Sequence, residues 1–141
     1  MSIPVVLSIC GRQSYADQEP EQIELVTDGV LEYCDGGWKL QYQESELTGL
    51  EGVTTTFRVE PDKIVLDRTG KLRSQIVFKE GVGHDSLYQM EFGALMISVY
   101  AQRVWAQIGP DGGVIDLVYS IEIENSATGT IDYHLEIRPA K

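Results

Sequence analysis

The sequence is poor in cysteine and has no long hydrophobic run. Its 141 residues include only two cysteines, Cys10 and Cys34, whereas small secreted domains that depend on disulfides normally carry more. A chain of this length buries enough surface to fold without such bonds. No segment approaches the roughly 18 consecutive apolar residues of a membrane-spanning helix. We therefore expect a soluble, cytoplasmic protein with no membrane partner.

Basic charge is also scarce. Eleven Lys and Arg residues stand against 22 Asp and Glu residues, which gives a formal net charge of −11. Such a balance favours solubility but repels phosphate backbones and anionic membranes. The lysines and arginines are dispersed along the chain and form no basic stripe in the sequence. We expect no nucleic-acid partner.

Motifs that would indicate catalysis or a cofactor are missing. The two histidines, His84 and His134, are far apart, and a catalytic zinc ion needs three protein ligands. No G-x-S-x-G nucleophile motif, G-x-G-x-x-G pattern or P-loop is present. Cys10 lies within an apolar strand pattern, which is more typical of a small buried side chain than of a nucleophile. We therefore expect no metal, no cofactor and no catalytic residues.

The last third of the sequence has the most regular pattern. Apolar side chains alternate with polar ones over residues 115–123 and again over 131–137. Alternation with a period of two places the apolar side chains on one face of a strand and the polar ones on the other. The polar segment between them contains a glycine, so the two strands are predicted to form an antiparallel hairpin.

The same pattern continues through the chain and predicts an all-β fold. Turn signals separate ten predicted strands: 3–13, 22–33, 38–44, 53–59, 63–68, 72–78, 85–90, 95–108, 115–123 and 131–137. Short connections between successive strands favour an up-and-down antiparallel barrel of about eight to ten strands, because closure removes both exposed edges. We predict one barrel domain over residues 1–141. A short helix near 44–49 is the only helical alternative.

Charged residues interrupt the predicted inner face at three positions. Glu44 continues the face of Trp38, Leu40 and Tyr42, while Arg68 continues that of Ile64 and Leu66. Arg103 lies in phase with Val99 and Trp105.

Buried charges must be paired, because an unpaired one is very costly. The first interpretation is a ligand site in which Glu44, Arg68 and Arg103 hold a polar group between walls formed by Trp38, Tyr42 and Trp105. The alternatives are a charge pair that closes one end of the barrel, side chains that emerge at strand ends, or a β-bulge that moves them outside.

The space that side chains leave empty inside the barrel distinguishes a ligand carrier from a scaffold protein whose barrel is filled. Tyr119 and Tyr133 are predicted to point inward together with the other aromatic side chains. Protein interiors pack to the density of organic crystals, so a filled lumen is the default expectation. A ten-stranded barrel is nevertheless wide enough to hold a small ligand.

Several of these residues belong to a longer pattern that resembles the bacterial YwiB-like family of unknown function. The pattern includes Tyr42–Gln43–Glu44–Ser45–Glu46, Gly49, Thr54–Thr55–Thr56, Arg68–Thr69–Gly70, Phe78, Tyr88 and Gly93. The resemblance covers nearly the whole chain. It implies a calycin-like barrel, related in shape to lipocalins, and it directs attention to Glu44, Arg68 and Gly70. It implies no established activity.

Two functions are consistent with these observations. The first is a non-enzymatic barrel that binds a small, partly apolar molecule in its lumen or mouth. The second is a scaffold or regulatory protein, as a monomer or homodimer, that acts through its surface and has a filled barrel. The size of the lumen separates the two.

Overall fold

The protein is built entirely from antiparallel β-strands. The computed structural model describes residues 2–14, 19, 21–34, 36–44, 51–90, 93–124 and 126–140. Its strands are β1 (Ser2–Ser14), β2 (Glu21–Cys34), β3 (Gly37–Gln43), β4 (Val53–Val59), β5 (Ile64–Gly70), β6 (Ser74–Phe78), β7 (Gly83–Met90), β8 (Gly93–Gly109), β9 (Gly112–Ile123) and β10 (Ser126–Pro139). The all-β prediction is confirmed.

All ten strands form one sheet that curls into a nearly closed up-and-down barrel. The strand order is β6-β5-β4-β3-β2-β1-β10-β9-β8-β7. The first and last strands pair over a long register, with Leu7 opposite Ile137 and Ile9 opposite Leu135. We call the gap between β6 and β7 the seam. It is bridged by the isolated pair Arg73–Gln89, in which each backbone N–H donates to the other residue's carbonyl, at 2.9 and 2.8 Å.

The alternating apolar residues form the core inside this barrel. Every strand contributes side chains to the inner face, as the period of two requires. The largest fully buried side chains come from nine of the strands: Val5, Leu7, Leu31, Leu40, Phe57, Ile64, Ile76, Phe78, Ile97, Ile115, Leu117 and Leu135. Tyr119 and Tyr133 also face inward, as predicted, and pack against this cluster.

A β-bulge in the long strand β8 overturns one part of the prediction. The register between β8 and β9 shifts between Ala101 and Arg103. Ala101 is buried, but beyond the extra residue the inner face passes to Val104, Ala106 and Ile108. Because a bulge inverts the alternation, Arg103 and Trp105 lie outside the barrel, and Trp105 is 42% exposed. The inward assignment of these two residues was wrong.

Two sequence expectations concern helices. In the described part of the chain, no helix is long and apolar enough to cross a membrane. The short helix considered near residues 44–49 falls mainly on 45–50, which lie outside the described residues.

On the outer wall, His134 makes stability depend on pH. Its Nδ1 lies 2.6 Å from Asp116 Oδ1 and its Nε2 lies 3.1 Å from Glu136 Oε2. These hydrogen bonds raise the pKa of His134 above its ordinary value of 6.5. A raised folded-state pKa means that protonated His134 stabilises the fold fully below about pH 6.5 and loses this effect as pH rises through the folded-state value.

We therefore expect wild-type protein to exceed His134→Gln in stability most strongly at acidic pH. The measurement is the urea midpoint of both proteins between about pH 5 and 9, since the histidine titrates within this window. Asp116→Asn, which removes the nearer carboxylate, should reduce the pH-dependent part of the difference. A difference that is constant across the window would contradict this role for the charged imidazole.

Candidate functional site

A cavity of about 340 Å³ opens inside the barrel at the end where β5 finishes and β6 begins. We call this space the lumen cavity. Its walls are apolar side chains, among them Ile9, Leu25, Leu72 and Ile76, and four tyrosines: Tyr42, Tyr88, Tyr119 and Tyr133. Glu44 and Arg68 also line it. Side chains therefore leave open space inside the barrel at this end.

Glu44 reaches the cavity because it continues the inward face of β3. Leu40 and Tyr42 precede it at spacings of two, and all three are buried. The Glu44 backbone N–H donates to the Val53 carbonyl at 2.9 Å, which extends the pairing with β4. Its carboxylate accepts a hydrogen bond of 2.5 Å from the hydroxyl of Thr55, a residue with no exposed surface. The carboxylate is thus fixed from the neighbouring strand.

Arg68 occupies the equivalent position on β5, two residues beyond Leu66 on the inner face. Its Nη1 donates to the Tyr88 hydroxyl at 3.1 Å, which links β5 to β7 across the seam. Burial opposes the charge of the guanidinium. Attraction from nearby Tyr88 and Glu44 and, to a lesser extent, from Tyr42 and Tyr119 outweighs that penalty and raises the pKa of Arg68. The side chain therefore remains a cation inside the cavity.

Three of the tyrosines, Tyr42, Tyr119 and Tyr133, keep their protons at neutral pH because burial raises the pKa of each. Burial, reinforced by the negative charge of Glu44, raises the pKa of Tyr42 to about 12. Burial also raises the pKa of Tyr119 and Tyr133 above the ordinary value. The hydroxyls of Tyr42 and Tyr133 lie 3.3 Å apart. The cavity therefore presents neutral hydroxyl groups, one cation and two carboxylate-bearing side chains, Glu44 and the exposed Glu21.

The six candidate residues from the sequence separate into two groups. Tyr42, Glu44 and Arg68 meet at the lumen cavity. Trp38 faces inward on β3 but lies towards the other end of the barrel, where it lines a cleft of about 480 Å³ together with Trp105. Arg103 is exposed on the outer wall and lines neither space. The structure thus brings together three of the six residues.

Sequence reasoning missed two residues that hydrogen-bond to the charged side chains of this cavity. Thr55, the partner of Glu44, and Tyr88, the partner of Arg68, entered only through the family pattern. The position of Thr55 between the inward residues Val53 and Phe57 was a usable signal. The pairing of Tyr88 with Arg68 was not predictable from local pattern, because it depends on how the barrel closes across the seam.

The histidines and cysteines lie apart from the lumen cavity. His84 faces the seam and accepts a hydrogen bond from the Val77 backbone N–H at 3.4 Å. Cys10 and Cys34 are not joined by a disulfide. Within the described ranges, no group of three or more His, Cys, Asp or Glu side chains is placed to hold a metal ion.

The fold and the cavity define the class of the protein as an antiparallel β-barrel whose internal cavity is lined by apolar and charged side chains. Comparisons with known proteins supply the family. Residues 7–137 match the family described as "Domain of unknown function (DUF1934)", and the chain belongs to it. The chain is also similar to the crystal structure of YwiB protein from Bacillus subtilis. That match has a TM-score of 0.89 at 19% identity and covers 99% of this chain and 94% of the other. A comparison with curated proteins finds no match.

These matches confirm the resemblance to the YwiB-like family. The structural match extends over the whole barrel, so it supports the fold strongly. Fold does not define activity, however, because one barrel architecture supports many unrelated functions. The function must therefore be argued from the cavity itself.

Proposed function

We propose that this protein binds a small, partly apolar molecule inside the barrel, in the lumen cavity, and that it acts by binding and not by catalysis. The observation that carries the proposal is a cavity of about 340 Å³ lined mainly by apolar and aromatic side chains, and also by Glu44 and Arg68. Ligand sites are typically concavities of about 300–1,000 Å³, lined mostly by apolar and aromatic side chains with a few oriented polar groups. The lumen cavity has this composition.

The arrangement of the walls supports orientation of the ligand as well as binding. Leu72 and Ile76 are buried on one side, and Tyr119 lies on another. Arg68 and Glu44 provide opposite charges at the polar end. A molecule with an apolar body and one polar end would match both regions at once. The calycin-like shape expected from the family pattern agrees with such a carrier, and the unbridged cysteines support a cytoplasmic location.

Gly11 offers a way to test occupancy of the cavity. It lines the lumen, and a Cβ built at this position would meet its nearest neighbour, Tyr133 Cδ2, at 4.0 Å. Gly11→Phe should therefore place a ring in the cavity without a clash at the backbone. We expect wild-type protein to bind the neutral fluorescent probe N-phenyl-1-naphthylamine and Gly11→Phe to bind it at least about tenfold more weakly, a loss of about 1.4 kcal/mol. Fluorescence titration measures both affinities.

Gly83→Phe is the matched control. Gly83 is exposed on β7, lies outside the lumen lining, and its added Cβ would meet Val99 O at an ordinary 3.8 Å. This variant should bind the probe as the wild type does. Failure of the wild type to bind, or equal binding by Gly11→Phe, would contradict the proposal. Either result would favour the alternative of a scaffold or homodimer that acts through its surface.

A further inference from the structure

Two buried polar atoms near the lumen cavity make no hydrogen bond within the described protein. They are Nε of Arg68 and Oγ of Ser74. Buried polar atoms are nearly always hydrogen-bonded, and each exception calls for an explanation. Ser74 is only 9% exposed, so general solvation does not explain its hydroxyl. Sequence reasoning did not single out this serine.

The two atoms belong to side chains that face each other. Arg68 on β5 is directly opposite Ser74 on β6 in the strand register. Directly opposite residues have Cβ atoms about 4.5–5.5 Å apart. Both lie on the inner face, since Ser74 shares the alternation of Ile76 and Phe78. The two side chains that carry these donors are therefore neighbours on the inner face.

The Arg68 and Ser74 side chains border open space, although the two unpartnered atoms themselves are buried. Arg68 lines the lumen cavity and also a groove of about 640 Å³ that runs over the seam, and Ser74 lines that groove. The hydrogen bond from Nη1 to Tyr88 holds one edge of the guanidinium. Its Nε–H is on a different edge and makes no hydrogen bond with the described residues.

We propose that Arg68 Nε–H and Ser74 Oγ–H together hold the carboxylate of an apolar monocarboxylic acid, whose hydrocarbon part lies in the lumen cavity. This inference rests on the proposed function and names the class of ligand. A carboxylate accepts from both donors at once, and hydrogen bonds between charged partners are about twice as strong as neutral ones. None of the ion pairs formed by the described residues includes Arg68, so a ligand carboxylate would give the guanidinium an ionic partner in addition to the Tyr88 hydroxyl.

Charge favours a monoanion over a phosphate. The negative charge of Glu44 already acts on Arg68. A phosphate monoester carries about −1.5 to −2 charges at neutral pH, which would add a larger repulsion with Glu44 in a site of low dielectric constant. A carboxylate adds a single negative charge opposite the guanidinium.

The test compares three eight-carbon ligands that differ in their polar group: octanoate, 1-octanol and octyl phosphate. Their affinities are obtained by displacement of N-phenyl-1-naphthylamine. For wild-type protein we expect octanoate to bind at least about tenfold more tightly than the other two. Ser74→Ala should weaken octanoate by about tenfold and leave octanol unchanged, because one charge-assisted hydrogen bond is lost. Arg68→Met should weaken octanoate by about a hundredfold.

Ser86→Ala is the matched control. Ser86 is as buried as Ser74, at 9% exposed, but its hydroxyl does not belong to the buried polar atoms that lack a hydrogen-bond partner. It should leave octanoate binding within about twofold of the wild type. Arg68→Lys keeps the charge but has no Nε–H, so an intermediate loss is expected, and this variant serves if Arg68→Met does not fold.

The outcomes separate this inference from the proposed function. Probe binding that is blocked in Gly11→Phe, combined with equal affinity for octanoate and octanol, would overturn the carboxylate and leave the lumen site in place. Tighter binding of octyl phosphate than of octanoate would overturn the monocarboxylate class. An unchanged octanoate affinity in Ser74→Ala, or an equal loss in Ser86→Ala, would overturn the role of Ser74. Absence of probe binding to the wild type would overturn both proposals.

Discussion

Tyr119→Ala is expected to lower the free energy of unfolding by about 3–5 kcal/mol, the range for truncation of a large buried aromatic side chain. Tyr119 is 9% exposed, and its ring centroid lies 4.8 Å from that of Phe78. Truncation removes this contact and enlarges a cavity that the surrounding strands cannot close. Urea unfolding measures the effect as a lower midpoint with an unchanged slope.

Two variants make the interpretation specific. Trp105→Ala removes an aromatic side chain that is 42% exposed on the outer wall, and we expect a loss below about 1 kcal/mol, as for most surface substitutions. Tyr119→Phe keeps the ring, so it should retain most of the stability lost in Tyr119→Ala. A Trp105→Ala loss as large as that of Tyr119→Ala would contradict the inward and outward assignments.

The contrast between Tyr119 and Trp105 also shows how far alternation predicts this fold. Strand β9 alternates without interruption, so its inner face could be identified from the sequence alone, and Tyr119 lies where it was predicted. Each predicted strand corresponds to a strand of the structure, and the bounds of β4 (Val53–Val59) agree at both ends. Short turns between amphipathic strands were sufficient to predict an up-and-down barrel.

Strand β8 shows where this reasoning fails. The extra residue lies between Ala101 and Arg103, in a segment without the glycine or proline that often accompanies irregular strands. The apolar pattern on either side of the bulge is regular, but the two parts are out of phase. A local pattern cannot detect this shift, because it is set by the pairing with β9. The error moved Arg103 and Trp105 into the candidate site.

The candidate site was predictable to the extent that its residues break a pattern. Glu44 and Arg68 are charged residues at apolar positions, and both line the lumen cavity. Ser74 interrupts the apolar face of Leu72, Ile76 and Phe78 as well, but as a small uncharged residue it was not singled out. Its importance appears only when β5 pairs with β6 and places it opposite Arg68. Residues defined by a partner across the sheet require the three-dimensional register.

Gly112→Ala is expected to destabilise the protein by about 2–5 kcal/mol, because two unfavourable effects combine. Gly112 begins β9 with a φ of +106°, and left-handed backbone costs an L-residue about 1–2 kcal/mol. In addition, an ideal Cβ at this position would meet the Ile137 carbonyl oxygen at 2.1 Å. The methyl group must push β9 away from β10, and such overpacking typically costs about 1–3 kcal/mol.

Gly36→Ala separates the two effects. Gly36 has a φ of +80°, and no heavy atom lies within 4 Å of its added Cβ. We expect this variant to lose only the conformational part, about 1–2 kcal/mol. Urea midpoints of the two variants then isolate the contribution of the close approach between β9 and β10. Equal losses would contradict it, and the requirement for glycine at 112 would then be one of backbone conformation alone.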